Sequence, residues 1–247
     1  MIKFDKEFIR KFFNIFGLEV YRLHPFSDPG TQMLAGINKV KTNILFDIGA
    51  NIGQFASEMR RKGFKGKIVS FEPLEDARKK LLVNSSKDSN WIIHEKTAIG
   101  DTNGFVDINL ARNSVSSSIL NMLETHSNAE NNSIYIGKER TPIFTLDTIA
   151  DIYLDDASNC FVKIDTQGYE WQVIEGAKNV LKKSKGVICE LSLVDLYEKQ
   201  RVWIDIIRRL EEEDFILWSL IRGFTDRRDG RSLQVDGVFL KKSEIHN

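Results

Sequence analysis

Two short stretches carry residues able to hold a charged nucleoside. The first is FDIGANIGQF, residues 46–55. The apolar run ILFDIG leads into it and QFASEMRRKG follows, so the pattern predicts a strand, a glycine turn and a helix. Gly49 and Gly53 permit a tight turn and let a ligand approach the backbone. The helix start beyond them presents unpaired amides, with Ala50 and Asn51 in the turn and Asn51 able to cap the helix. The spacing is not G-x-G-x-x-G, so the diphosphate fingerprint of dinucleotide-binding proteins is absent. Asp47 stands just before the turn, where a carboxylate suits a cationic head and repels a diphosphate. The second stretch is the FEP of KIVSFEPL. Glu72 lies 19 residues after Gly53, and an acid about 20 residues past such a turn is placed for ribose hydroxyls. Pro73 stops the strand and holds that carboxylate at its tip.

A cationic head at Asp47 or the neighbouring loop, and a ribose at Glu72, together describe S-adenosylmethionine. The end of a third strand, Thr97-Ala98-Ile99-Gly100-Asp101, is then expected to border the adenine. Ala98 and Ile99 supply apolar walls, and Asp101 is able to accept from the adenine amine. Two further acids, Asp165 and Glu190, end the runs CFVKID and GVICELS. Ligands of doubly wound sheets bind beyond such strand ends, so both carboxylates face the donor's methyl group. An alcohol acceptor loses a proton as it attacks, and a positioned carboxylate or histidine contributes about 10²–10⁴-fold there. Asp165 is the first candidate base, with holding the donor's ammonium as its alternative; Glu190 is the second. Lys163 either pairs with one of these acids and orients the site or snorkels to an edge. Glu170 is accounted for by the dipole of the helix it opens. His94 reads as structural, and His24 and His126 fall in loops able to cover a pocket.

The run NSVSSS, residues 113–118, offers hydroxyls on a loop, and Ser116, Ser117 and Ser118 are candidates for binding a polyhydroxylated acceptor. Arg222, Arg227, Arg228 and Arg231 cluster before the last strand. They can grip a phosphate or carboxylate on the acceptor, with Arg231 carried as the substrate-binding candidate. Asp226, Asp229 and Asp236 among them describe a solvated salt-bridge loop equally well. No H-x-x-H, C-x-x-C or three-acid series has metal-ligand spacing, so no metal is expected.

The elements that must position these residues follow a strand–turn–helix grammar from residue 44 onward, which predicts a parallel, doubly wound α/β sheet with helices on both faces. The last two strands, FILWSLIRG and LQVDGVFLKK, have no helix between them and are expected to pair as an antiparallel hairpin at one edge. GYEWQVIEGAKNVLKKSKG and LYEKQRVWIDIIRRLEEED each read as one helix. FVDINLA reads as an added strand, and residues 113–140 as a lid or binding loop. Residues 3–16, KFDKEFIRKFFNIF, place Phe4, Phe8, Ile9, Phe12, Phe13, Ile15 and Phe16 mostly at helical spacing. This helix is expected to dock over one edge of the core, with peripheral contact to a membrane or partner as the alternative. HPFSDPG then serves as a connector. The chain divides into an N-terminal helical segment and connector, 1–40, and a main domain, 41–247.

With 35 basic and 35 acidic residues in 247, the formal charge is zero. That removes the general electrostatic case for nucleic acid or an anionic surface. Two cysteines in apolar runs, Cys160 and Cys189, read as buried thiols in a reducing, cytoplasmic setting. No 18-residue uncharged apolar stretch predicts a membrane span, and Asp5 and Glu7 argue against a secretory signal.

Taken in order, FDIGANIGQF, KIVSFEPL, TAIGD, NSVSSSIL, TLDT, VKIDTQGYEWQVIEGA, ELSLVDLYE and LQVDGVFL resemble the FkbM-type methyltransferases of the class I S-adenosylmethionine-dependent superfamily, from about residue 20 to 241. The resemblance implies a Rossmann-like sheet of seven strands, six parallel and one reversed. It implies cofactor contacts at Asp47, Gly49, Asn51, Gly53, Glu72 and Ala98–Gly100, and O-methylation of a saccharide, glycan or related metabolite. A carboxyl- or N-methyltransferase and a non-catalytic nucleoside-binding protein are the alternatives, and a homo-oligomer is compatible with either. The TQG of VKIDTQGYE replaces the VEG that many members carry, so no role of that middle acid carries over.

Overall fold

The computed structural model describes residues 6–21 and 24–245. Among the described residues, ten strands run in chain order: β1 (Ile44–Ile48), β2 (Lys67–Phe71), β3 (Trp91–Ile93), β4 (Ala98–Ile99), β5 (Gly104–Ala111), β6 (Tyr135–Phe144), β7 (Cys160–Ile164), β8 (Gly186–Ser192), β9 (Phe215–Arg222) and β10 (Gln234–Lys241). The α-helices are α1 (Lys6–Asn14), α2 (Pro29–Lys39), α3 (Gln54–Lys62), α4 (Glu75–Ser85), α5 (Glu124–Ala129), α6 (Leu146–Ile149), α7 (Glu170–Glu175), α8 (Lys178–Lys183), α9 (Trp203–Glu212) and α10 (Lys242–Ile245).

Seven strands form one sheet in the order β3-β2-β1-β7-β8-β10-β9. Pairing is parallel from β3 through β8, and β10 runs antiparallel to both β8 and β9. This is the expected doubly wound Rossmann-like sheet with one reversed strand. The terminal hairpin forms with its second strand inserted, so β9 takes the edge. Alternation along β1 shows why these strands read as continuous apolar runs. Ile44, Phe46 and Ile48 join one core with residues of α7, α8 and α9, whereas Leu45 joins a second core with residues of α2 and α3. With both faces covered, period-2 alternation leaves few polar positions.

Helix α2 covers the second face. Asp28 caps it through a 2.7 Å bond accepted from the Thr31 amide, and Pro29 starts it. It buries Met33, Leu34 and Ile37. Helix α1 does not dock as expected. Phe8, Phe12 and Phe16 stay 66%, 49% and 65% exposed, and Phe12 packs edge-on against Phe13 and Phe16 rather than against the sheet. Phe4 and Asp5 of the same stretch lie outside the described residues.

Four expected elements differ. The run around TAIGD splits, because β3 belongs to the main sheet while β4 joins β6 and β5 in a separate three-stranded sheet. Strand β6 begins inside the expected lid; its polar alternation hid it, since only Thr141 and Ile143 are buried there. The long helix after β7 breaks into α7 and α8 at Gly176, where a Cβ would sit 1.8 Å from the Gly100 carbonyl oxygen. Likewise, the last long helix begins only at Trp203, and residues 196–202 form a loop that buries Leu196 and Tyr197.

Candidate active site

Strand order reverses between β1 and β7, and a crevice of about 500 Å³ opens above the C-terminal ends of these strands and their neighbours. Its floor begins with the glycine turn. Gly49 has φ +73°, Asn51 +47° and Gly53 +90°. A side chain at Gly49 would also collide with the Asp165 carbonyl oxygen, 1.8 Å from the built Cβ, so this turn packs directly on the tip of β7. The amides of Gly49 and Ala50 both donate to the Phe71 carbonyl at 3.1 Å, tying the turn to β2.

Glu72, one residue past β2, is buried on the crevice wall. Its two carboxylate oxygens accept from the Asn51 amide at 2.7 Å and the Leu74 amide at 2.9 Å. Burial pushes it up to about 7, against the pull of those two amides. Pro73, Ala98 and Ile99 line the same end, but Asp101 is exposed and lies off the wall, so the expected contact to an adenine amine has no support. Asn51 does not cap the helix by side chain; Gly53 holds the N-cap position. The Asn51 side-chain amide instead donates to Ser114 Oγ at 3.2 Å, joining the glycine turn to the serine loop.

Asp47 is fully buried and is not part of the crevice wall. The reason is register: Asp47 pairs across the strands with Lys163. The Lys163 ammonium lies 3.3 Å from Asp47 Oδ1 and 3.5 Å from Asp165 Oδ2, and donates to the Gly49 carbonyl at 3.1 Å. The approach to Asp47 Oδ1 is a charge contact without hydrogen-bond alignment. Asp47 Oδ2 accepts from Ser70 Oγ, which itself accepts from the Trp91 indole at 2.9 Å. Burial works against the lysine's charge, but the Asp165 and Asp47 carboxylates outweigh it and hold the ammonium above its ordinary range. Asp47 therefore anchors Lys163, and Lys163 is what meets the crevice, rather than Asp47 meeting a ligand ammonium directly.

At the other end Asp165 is about a third exposed, and Glu190 stands on the neighbouring strand. A single side-chain amide, that of Gln167, donates to Asp165 Oδ1 at 3.0 Å and to Glu190 Oε2 at 2.9 Å. Gln234 adds a 2.6 Å donation to the same Glu190 oxygen. Burial, and then the charges of Asp165, Glu170 and Asp236, raise Glu190 well above the usual carboxylate range. Asp236 was grouped with the arginine loop in the sequence; here it sits on β10 opposite Glu190, lining the crevice, and burial pushes it up to about 7. The signal was an acid inside the apolar strand pattern LQVDGVFL. Glu170 is buried, but its carboxyl accepts from the Thr166 and Gly168 amides and closes the loop before α7 rather than facing the crevice. Among the described residues, no group of three His, Cys, Asp or Glu side chains is arranged to hold a metal.

The serine loop roofs this end. Ser116, Ser117 and Ser118 all line the crevice, but two of their hydroxyls are engaged in holding the loop. Ser117 Oγ accepts from the Ala111 amide, and Ser118 Oγ donates to the Gln167 carbonyl at 2.6 Å. His126 also lines the wall. It is buried with Nδ1 unpartnered, and burial lowers it to about 4, so its ring is neutral at neutral pH. His94 is held by the Tyr153 hydroxyl at 2.6 Å, and the exposed His24 lies off the wall.

The four arginines separate. Arg228 is locked to Asp226 by bonds of 2.6–3.2 Å. Arg222 and Arg227 line a second cavity that shares Glu130 and Phe224 with the first. Arg231 is exposed and lines neither, which corrects its expected place in substrate binding.

The Methyltransferase FkbM domain model matches residues 47–217. The hexuronic acid methyltransferase AglP of Haloferax volcanii is 23% identical over 186 residues, covering 71% of this chain and 70% of that protein. Among solved structures, precorrin-6y C5,15-methyltransferase of Geobacter metallireducens superposes with a TM-score of 0.45 at 11% identity, covering 90% of this chain and 93% of that one. Ribosomal protein L11 methylase of Lactobacillus delbrueckii gives 0.45 at 12% identity, with 90% and 81% covered. The chain belongs to the FkbM methyltransferase family, as an enzyme whose methyl donor is S-adenosylmethionine.

Proposed function

We propose that the enzyme methylates a hydroxyl of a saccharide or saccharide-bearing metabolite. The observation that carries this reading is the crevice's two-ended layout: one buried carboxyl between backbone amides at Glu72, and a cluster of acids under a polar roof at Asp165, Glu190 and Asp236. Its volume of about 500 Å³ lies within the range of small-molecule sites, roughly 300–1,000 Å³. The donor fits the first end. Gly49 and Gly53 leave no room for side chains, and Asn113 Oδ1 on the same wall is buried without a partner. Glu72 would accept from the ribose hydroxyls. Ala98, Ile99 and Pro73 would wall the base, and Gly49, Ala50, Asn51, Lys163 and Asp165 would border the tail.

The chemistry the bound donor supplies is an activated methyl group, its sulfur–carbon electron pair returning to sulfur. The protein's part is to align an acceptor oxygen and receive its proton, and alignment alone is worth roughly 7–11 kcal/mol. Asp165, open to the crevice and held by Lys163 and Gln167, is the proton acceptor. Glu190 is the second acid of the site and, with its proton retained, a donor to the acceptor's hydroxyls. Hexuronic acid is the substrate in the name of the relative AglP. An acidic sugar has a counterpart here in Arg222 and Arg227, neither of which forms an ion pair among the described residues.

Incubation with methyl-labelled S-adenosylmethionine and a panel of nucleotide sugars, uronic acids and glycans tests the reading. Base-stable label on a sugar hydroxyl is the expected result. Label found only as a base-labile ester, or on no saccharide although the donor binds in calorimetry, overturns it.

A further inference from the structure

The loop Thr166-Gln167-Gly168, between β7 and α7, holds the side chain with the most complete set of contacts in the acceptor end. Gln167 has φ +54°, a left-handed backbone that a non-glycine residue keeps only where its surroundings over-determine it. Its surroundings do so on every polar atom but the amide nitrogen of its backbone. The side-chain nitrogen donates to Asp165 and Glu190, the side-chain oxygen accepts from the Tyr197 hydroxyl at 2.9 Å, and the backbone carbonyl accepts from Ser118. Tyr197 is fully buried and packs on Gly168, where a Cβ would lie 2.7 Å from the tyrosine ring.

Only a carboxamide satisfies this set, because one end must give two hydrogens and the other must receive one. A carboxylate in its place offers no donor. It would also add a charge to a group already rich in acids: Asp165 at the tip of β7, Glu190 on β8, Asp236 on β10 and Glu170 on α7, with Asp47 on β1 behind them, against the ammonium of Lys163. The VEG-to-TQG change noted in the sequence thus has a physical content in this chain.

We propose that Gln167 is a positioning residue that acts through Asp165 and Glu190: its amide bridges the two carboxyls, fixes their spacing, and leaves Asp165 as the group that takes the acceptor's proton. This rests on the hydroxyl-transfer reading above. As the acceptor oxygen forms its bond to carbon, its proton passes to Asp165. Glu190 keeps its own proton because burial and the neighbouring carboxylates of Asp165, Glu170 and Asp236 disfavour its charge, while Gln167 and Gln234 donate to its Oε2 and fix its orientation.

Two variants, Q167M and Q167E, test it in the full chain. Carbon-13 titration of the side-chain carboxyls is read with Glu72, at the far end of the crevice, as internal reference. In both variants Glu190 is expected to titrate at least one pH unit away from its wild-type position while Glu72 stays in place. Unchanged titration of Glu190 in Q167M overturns the proposal. On whichever sugar of the panel accepts label, Q167E is expected to lie closest to wild-type kcat in acid, where the introduced carboxyl is protonated and restores one of the two donations, and to fall at least 100-fold behind by pH 8. Q167M is expected to be slow throughout. A Q167E profile parallel to wild type overturns the role. If no sugar accepts label, the hydroxyl reading falls, and the titration alone still decides whether Gln167 sets the pair.

Discussion

The two ends of the crevice each bury acids, but they hold them by different means. At the donor end, Glu72 is gripped by the amides of Asn51 and Leu74, main-chain groups of the turn and strand end that surround it. At the acceptor end, Asp165 and Glu190 come from the ends of two strands and are held largely by side chains, Gln167, Gln234 and Lys163, with Asp236 of β10 beside them. Backbone donors keep their place when side chains change; side-chain donors do not. On the proposed reading, the donor end is therefore a fixed socket for a common nucleoside, whereas the acceptor end can be re-specified by a few substitutions while the sheet stays intact.

The comparison breaks most sharply at Asp165. D165N removes the proposed proton acceptor but preserves the shape and the Gln167 contact on one oxygen. The expected loss in kcat is roughly 10²–10⁴-fold, with calorimetric affinity for S-adenosylmethionine within a few-fold of wild type. An equal loss in both quantities would move Asp165 to the donor's ammonium. E72Q is the mirror experiment. A hydrogen bond to a charged group is worth about 1.5–3 kcal/mol, so donor affinity should fall roughly 10–100-fold, with kcat at saturating donor much less affected.

How much of this was legible in the sequence follows the same divide. The proposed donor end draws most on two contiguous runs, FDIGANIGQF and FEPL, with Ala98 and Ile99 beside them, and residue order along a strand, turn and helix brings the residues of those two runs to one wall. Asp47 was misplaced because cross-strand register, which pairs it with Lys163, is not a property of either run. The acceptor end draws on residues 165–236. Asp236 was hidden because its partner Glu190 is reached only through the reversal of β10, and Gln167 because its contacts come from four separate segments. Helix breaks failed for a related reason. Gly176 interrupts a good helical pattern because Gly100 of another sheet passes against it, and no local periodicity records that.

Lys163 joins the ends and gives the next effect. K163M leaves Asp47 buried without its cation, and breaking such a pair costs about 3–5 kcal/mol, or roughly 6–20 °C in thermal midpoint for a chain of this size. The double variant D47N with K163M should recover much of that loss, since no lone charge is left. Acidity links the ends as well. Glu72, Glu170 and Asp236 are all pushed up to about 7 in the fold. The native state therefore binds more protons than the unfolded chain between the ordinary carboxylate range and about 7, and stability present in acid is lost as pH rises through that window. The midpoint at pH 6 should exceed that at pH 8.5 by roughly 4 °C or more. Donor affinity should run the other way, rising across the same window as Glu72 ionises and can accept from two hydroxyls. A midpoint that climbs with pH would contradict the sign.

The mildest expected effect lies outside the crevice proper and sharpens the acceptor end. Arg222 and Arg227 border the second cavity, which shares Glu130 and Phe224 with the first. Both are solvent-exposed, so each contact to an anionic acceptor is worth about 0.2–1 kcal/mol and weakens with salt. R222A with R227A should raise KM for an acidic sugar roughly 2–10-fold at low ionic strength, leave KM for a neutral sugar unchanged, and leave kcat unchanged for both. The difference should vanish near 0.5 M salt. Equal KM changes for acidic and neutral sugars would mean that the arginines shape the loop rather than read charge, and that the specificity of the acceptor end is confined to the wall around His126, Gln167 and the serine loop.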